Sequence, residues 1–340
     1  MTDRRVIVQQ LVILFIILCA SVDTFAQRLA TVEGKAQGTY YIIKYLSDDT
    51  TSMQHAIDSV FAEIDQSLSL YKPGSLINRF NEGKTVHMDN HMYTVVTRSL
   101  QISKATKGAF DITVKPLVDA WGFGVRKPAV QQAPDADTLK RILKYVGHRY
   151  LWVWGEQLLR LKKGVEIDCN GIAQGYTSDV MARLLEQNGI SNYLVDVGGE
   201  LRSCGHNQHG KIWTVGIERP AANDEAYPMQ ALLALDGKAI TTSGNYRRFF
   251  DQGGTRFAHS IDPATGEALH SNIVSVTVIA RDAITADGFD NALILMGVEK
   301  GLAFIRQHPR YGLEAYFIYK DANGKIQERF SPGFEQLLIR

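Results

Sequence analysis

The chain has 340 residues, 45% of them apolar and 21% charged, enough to build one large hydrophobic core or two modest ones. Its 37 Lys and Arg stand against 36 Asp and Glu, for a formal charge of +1. No overall field therefore exists to hold nucleic acid by its phosphates, and no nucleic-acid partner is expected. With 9 prolines and 29 glycines, collagen-like and low-complexity classes are excluded as well.

The first 26 residues read as a signal segment, leaving a domain over 27–340. Arg4 and Arg5 precede an apolar run from Leu11 to Ala20, too short for a bilayer core of ~30 Å but matching the apolar part of a secretory signal. Thr24-Phe25-Ala26 offers small residues at a cut before Gln27. Export to the periplasmic side is expected. The alternative is a lipoprotein anchored to the inner membrane through Cys19, against which stands the bulky Leu18 just before it.

Beyond the signal, Ile57, Val60, Phe61, Ile64 and Leu68 repeat at helical spacing, and Leu139, Ile142, Leu143 and Val146 do so before Gly147. Tyr150 to Trp154 and Leu158 to Leu161 flank Gly155-Glu156-Gln157 as a hairpin. A helix is expected from the Asn170-Gly171 turn to Gly189. Strands are expected at Tyr193 to Val197, Ile212 to Ile217, Ala231 to Leu235 and Leu313 to Tyr319, and the Val274-Val276-Val278 run predicts a strand apolar on both faces. Strand runs outnumber helices and several adjoin one another, which predicts an α+β fold of mixed strands and helices in one unit. After signal cleavage only Cys169 and Cys204 remain, with no zinc-type spacing; two buried free thiols are expected rather than a disulfide.

The segment from Ala283 to Gly297 follows the valine strand and carries the most chemistry. On a helix Phe289, Ala292, Leu293 and Met296 form an apolar face, and Asp287, Asp290 and Asn291 form an oxygen-rich one. Oxygen donors without His or Cys suit a hard cation such as Mg²⁺ that completes its shell with water and phosphate; the alternative is the solvated side of an amphipathic helix. A second cluster runs from Val165 to Gly175, where an apolar strand ends at Asp168 and turns through Asn170-Gly171 into a helix, presenting amides and a carboxylate at one edge. His259 lies beside the tight turn Asp262-Pro-Ala-Thr-Gly266, either as a base oriented by Asp262 or as a brace for that turn. No phosphate loop or hydrolase triad can be assembled.

Taken in this order the motifs resemble the ApbE family of FAD-dependent, Mg²⁺-requiring flavin transferases. They are Gly38-Thr39-Tyr40; Ser69 to Ser75 leading to Asn78-Arg79-Phe80-Asn81; Gly108 to Leu117 with Trp121-Gly122-Phe123-Gly124; Asp168 to Gly175; Asp196 to Glu200; Thr242-Ser243-Gly244; His259 to Gly266; and Ala286-Asp287. The resemblance implies cleavage of the FAD pyrophosphate, attachment of FMN to a Ser or Thr hydroxyl of an exported acceptor protein, and release of AMP. It implies cofactor contacts at Gln37, Tyr71, Ala109, Phe110, Asp111, Asp168, Gln174 and Ile261, a metal between Gly171, Asp287, Asp290 and Asn291, and an acceptor that is a membrane redox subunit. His259 is the candidate general base. The chain departs from the family pattern at Asn291, where Thr is common, and at Gln174, where a charged residue is frequent. A periplasmic FAD pyrophosphatase giving FMN and AMP, or a protein that holds FAD without turnover, are the alternative functions.

Overall fold

A computed structural model describes residues 27–49, 51–125, 128, 131–218, 229–244, 249–253, 255–269 and 271–339. The signal segment and Cys19 lie outside them. The expected mixture of strands and helices is observed. Eight strands form one sheet, and they succeed one another across it in chain order: Arg28–Ala36, Thr39–Ser47, Tyr193–Val197, Glu200–Cys204, Lys238–Gly244, Ile273–Ala280, Glu314–Lys320 and Ile326–Phe330. Every neighbouring pair is antiparallel. The remainder of the protein is inserted between these strands, and the insertions build the layers on the sheet.

Both faces of the sheet are covered, which explains the doubly apolar valine strand. Val276, Val278 and Ala280 pack toward the helices, whereas Ile279 joins Ile240, Tyr316 and Ile318 beneath the Trp213–Glu218 and Met229–Leu235 hairpin. The expected stripe from Ile57 to Leu68 lies within the helix Gln54–Leu68, with Ile57, Phe61, Ile64 and Leu68 buried. The Leu139 stripe forms the helix Ala136–Ile142, but its last turn tightens into a 3₁₀ segment over Leu143–Tyr145, a common helix ending. Gly297 adopts φ +76° and breaks the last long helix as expected, yet the chain resumes helical geometry and continues to Gln307. Cys169 and Cys204 are both free; Cys169 is buried and Cys204 only half-buried.

Two helices carry most of the oxygen-rich chemistry. Asn170–Gln187 crosses the sheet beside Ala283–Gln307, and a buried carboxylate joins them. Asp179 Oδ1 accepts from the Ala283 N–H and its Oδ2 from the Ile284 N–H, both at 2.9 Å, satisfying donors that have no partner inside their own helix. Arg202 reaches in from the sheet and donates to Asp179 Oδ1 at 2.7 Å, so the buried charge is paired as well as hydrogen-bonded.

The approach of the two helices depends on Gly175. A Cβ there would lie 2.3 Å from the Ala283 carbonyl oxygen and 2.7 Å from Asp287 Cβ, inside van der Waals contact with backbone that cannot swing aside. Gly175→Ala is therefore expected to destabilise the protein by about 1–3 kcal/mol or more, read as a fall in the denaturant midpoint. An unchanged midpoint would show that the helices do not meet here.

Candidate active site

The oxygen-rich face of the Ala283–Gln307 helix is inside the protein. Asp287 is 5% exposed and Asp290 2% exposed, which rules out a solvated outer face. Each carboxylate accepts from a neighbouring element: the Gly175 N–H donates to Asp287 Oδ2 at 2.9 Å and the Thr241 hydroxyl donates to Asp290 Oδ2 at 2.7 Å. The Asn291 amide nitrogen sits among three oxygens, 3.2 Å from the Gly171 carbonyl, 3.0 Å from the Asp287 carbonyl and 2.9 Å from Asp290 Oδ1. One NH₂ carries two protons, so it under-serves three acceptors.

Glu200 joins this group. Its Oε2 is buried and makes no hydrogen bond, and its carboxyl is pushed well above the usual range by burial and by the nearby Asp287 and Asp290 charges. Burial likewise raises Asp287 to about 7 against the pull of the Gly175 N–H. Burial and the Asp287 charge raise Asp290. Carboxylates that repel one another in a dry site, beside an outward-turned carbonyl, are the donor chemistry of a hard divalent cation. Among the described residues no three His, Cys, Asp or Glu side chains converge at metal-ligating separation, so backbone and amide oxygens have to complete the set. Gly171 provides the carbonyl because its φ of −83° and ψ of 16° leave the helical path at the first turn. A rotated Asn291 amide would present Oδ1 in place of the nitrogen; its orientation is set by the hydrogen-bond network.

A second wall runs away from this face. Asp168 is buried and raised to about 6 by that burial; its Oδ1 accepts from the Asn170 N–H at 2.8 Å, and its own N–H donates to the Ile112 carbonyl at 2.7 Å. That bond brings the helix start to the Ala109–Thr113 turn. Phe110 is buried there, with Ala109 packed against the same core. Asp111 is fully committed: Oδ1 accepts from the Thr113 N–H and hydroxyl at 2.9 and 2.7 Å, and Oδ2 from the His148 N–H at 2.6 Å. Any cofactor contact at Asp111 thus falls to its backbone. The turn is continued by Leu117 and Trp121, which pack with Ile261; Trp121 Nε1 donates to the Gly266 carbonyl at 2.8 Å. Phe123 stands edge-on to the His259 ring at 6.4 Å between centroids. The Asp262 carboxylate accepts from the Ala264 N–H at 2.8 Å and so braces its own turn.

Two of the remaining expected contacts, Gln37 and Gln174, lie along the helix Asn170–Gln187, and Tyr71 lies on a separate turn. Gln37, at φ +52°, accepts from the Thr177 hydroxyl at 3.1 Å. Gln174 lies against Gly198, where a Cβ would come within 2.7 Å of its amide nitrogen. Tyr71 is 64% exposed on a turn whose Ser69, Leu70 and Lys72 carbonyls are gathered by the Asn78 amide.

Sequence reasoning missed Glu200, Thr241, Asp179 and Arg202. For Glu200 a signal existed. Gly198 and Gly199 have φ of +69° and +106°, a two-glycine reversal between alternating strands, and the residue after it starts the return strand beside the helix, where Ser178 Oγ donates to the Glu200 carbonyl at 2.6 Å. Thr241 and Arg202 lie on strands that only the sheet order brings beside the helices, and Asp179 is placed by the packing of the two helices.

The ApbE family model matches residues 37–317. An FAD:protein FMN transferase of Klebsiella pneumoniae is 37% identical over 334 residues, covering 94% of this chain and 93% of the relative. One from Escherichia coli K12 is 36% identical, covering 93% and 91%. Among solved structures, the flavin transferase ApbE from Vibrio cholerae superposes with a TM-score of 0.82 at 33% identity, covering 92% of this chain and 100% of that one. The apo flavinyl transferase ApbE of Pseudomonas stutzeri also gives 0.82, at 30% identity over 93% of this chain and 98% of its own. With its family motifs gathered along the two buried helices and the turns beside them, this chain belongs to the ApbE family.

Proposed function

We propose that this chain is a Mg²⁺-dependent FAD:protein FMN transferase, exported behind its 1–26 signal to act through a 27–340 domain on the periplasmic side. The observation that carries the chemistry is the buried oxygen face of Asp287, Asp290 and Asn291, closed by the Gly171 carbonyl, with the buried Glu200 carboxyl near enough to feel the charge of both Asp residues. The relatives' names support FAD as substrate and a protein as acceptor. Arg4, Arg5 and the apolar Leu11 to Ala20 run support export, and an exported transferase meets the membrane redox subunits we take as acceptors.

Asp287, Asp290, Asn291 and the Gly171 carbonyl would hold the cation. When bound, it supplies charge neutralisation to the pyrophosphate, the main demand of phosphoryl transfer. Asp168, Gln174 and Gln37 frame the dinucleotide along the helix, the Ala109-Phe110-Asp111 backbone and the Ile261 turn close its other side, and Tyr71 covers it from the exposed loop. His259 takes the proton of the acceptor hydroxyl as its oxygen bonds to the FMN-side phosphorus. The P–O bond to the bridging oxygen breaks, and AMP leaves with that oxygen. Positioned proton transfer of this kind contributes ~10²–10⁴ in rate.

Asp287→Ala removes a ligand and little core volume, so incubation with FAD, Mg²⁺ and an acceptor domain is expected to yield no flavinylated peptide by mass spectrometry while the variant stays folded. Near-full adduct would overturn the metal assignment; free FMN with AMP in place of adduct from the wild type would make the chain a pyrophosphatase.

Stability is expected to depend on pH through the same residue. The folded Asp287 carboxyl sits near 7 against an ordinary 3.8. Its contribution to stability is therefore complete below the ordinary value and lost as pH rises through about 7. In chelator, the melting temperature should fall from acidic to alkaline pH, less so in Asp287→Asn, and Mg²⁺ should restore it on the alkaline side. The same fall in both proteins, with no Mg²⁺ effect, would contradict this.

A further inference from the structure

The three-stranded sheet beside the cofactor wall has a face that nothing covers among the described residues. Leu151–Trp154 pairs antiparallel with Gln157–Arg160. Strand alternation sends Leu151 and Leu158 into the core and leaves Trp152, Trp154, Leu159 and Leu161 on the opposite side. Trp152 is 58% exposed, Trp154 70% and Leu161 61%. Single exposed apolar residues are ordinary, but two tryptophans and a leucine on one hairpin face form a contiguous patch.

The charge around this patch is as uneven as its hydrophobicity. Residues 140–163 hold seven Lys and Arg against the single acid Glu156; Arg160 turns away over the Phe80 ring, and the other six leave a local excess along this stretch hidden by the near-neutral total. The cationic groups are set beside the patch on aromatic rings. Lys162 Nζ lies 5.3 Å from the Tyr145 ring centroid and 4.9 Å from that of Tyr150, and the Arg149 guanidinium lies 4.5 Å from the Tyr150 centroid. Tyr150 is tied in turn to the hairpin edge, its carbonyl accepting from the Leu161 N–H at 2.8 Å.

Indole and phenol rings with Lys and Arg at their margin form the combination that settles at the headgroup level of a bilayer, the rings entering the interface while the cations meet anionic lipid. We infer that this hairpin face is a peripheral membrane-docking surface for anionic phospholipid. No described helix is long and apolar enough to cross a membrane, so the contact is one of lying on the surface rather than spanning it. It rests on the export reading only for its place in the cell; the binding itself is independent of transfer. The surface is bolted to the cofactor wall, since the Gly147 N–H donates to the Thr113 hydroxyl and the His148 N–H to Asp111 Oδ2, both at 2.6 Å. Docking would thereby hold the Ala109–Thr113 turn at a fixed height above the lipid, where a membrane acceptor presents its hydroxyl.

The test uses the chain from Gln27, which contains every described element and lacks the apolar leader. Sedimentation with vesicles of equimolar phosphatidylglycerol and phosphatidylcholine should show binding that is lost on pure phosphatidylcholine and weakened by salt. Trp152→Ser/Trp154→Ser should bind about tenfold more weakly or worse, as should Arg149→Gln/Lys162→Gln, given that each cation near an anionic surface contributes a several-fold change in affinity. Trp121 and Trp213 are buried, so a blue shift of tryptophan emission on the anionic vesicles, absent from the double tryptophan variant, would report these two side chains entering the interface. Melting temperature and FAD affinity of both variants should match the parent. No vesicle binding by the parent, or binding unaffected by either pair of substitutions, overturns the inference. So does a parent that ignores vesicles while the tryptophan variant alone loses capture by an acceptor protein, which would make the face a protein-docking site.

Discussion

The whole site depends on how closely two helices approach. Asn170–Gln187 and Ala283–Gln307 come from different insertions, yet the missing side chain of Gly175 lets the backbone of one reach the Asp287 carboxylate of the other, 112 residues along the chain. Asp179 fixes the same junction from the opposite direction by accepting the first amides of the second helix, and Arg202 neutralises it from the sheet. Two carboxylates thus cross the interface with different duties. Asp179 is satisfied by two amides and a guanidinium, whereas Asp287 has one amide and a set of like-charged neighbours. The first arrangement is a finished structural joint. The second is an electrostatic deficit, and such deficits gather where ligands bind.

This asymmetry bears on one of the two departures from the family pattern, the one at Asn291. Asn291 offers an amide where a hydroxyl is common, and Asp290 adds a carboxylate beside it. Together they leave Gly171 O, Asp287 O and Asp290 Oδ1 facing a single NH₂ group. Thr241 restrains the far oxygen of Asp290, so Oδ1 is the one turned toward that cluster. The sheet supplies two further parts of the site, since Thr241 and Glu200 lie on paired strands; Thr241 bonds Asp290, and Glu200 feels the charge of Asp287 and Asp290.

Local pattern was legible in the sequence wherever a single element decides it. The Gln54–Leu68 stripe, the Trp152 hairpin and the doubly apolar Ile273–Ala280 strand can be read from spacing alone, because burial on one or two faces imprints period directly on the chain. The Asp287 face was legible as a set of oxygen donors but not as buried, for a helix with two faces reads the same whether the polar one meets water or another helix. Its burial is decided by Gly175, a residue whose close approach to the other helix nothing in its own segment signals. Asp111 shows the converse. It sits in a stretch with the look of a cofactor contact, yet both its oxygens hold other groups, Thr113 two residues on and His148 37 residues on, and the second bond joins positions too far apart for spacing to reveal. Thr241 and Arg202 became part of the site only through the chain-order arrangement of the eight strands.

The proposed chemistry turns on a divalent ion seated between the two helices. Crystals grown with FAD and soaked in Mn²⁺, with diffraction collected at the manganese edge, give the most direct reading because the anomalous signal locates the ion independently of any assumed ligand. A peak bounded by the Gly171 carbonyl, Asp287 and Asp290, lost in Asp287→Ala crystals, is the predicted result. An occupied cofactor with no anomalous density at that face, or with manganese bound elsewhere and the Asn291 amide still filling the gap, would contradict it.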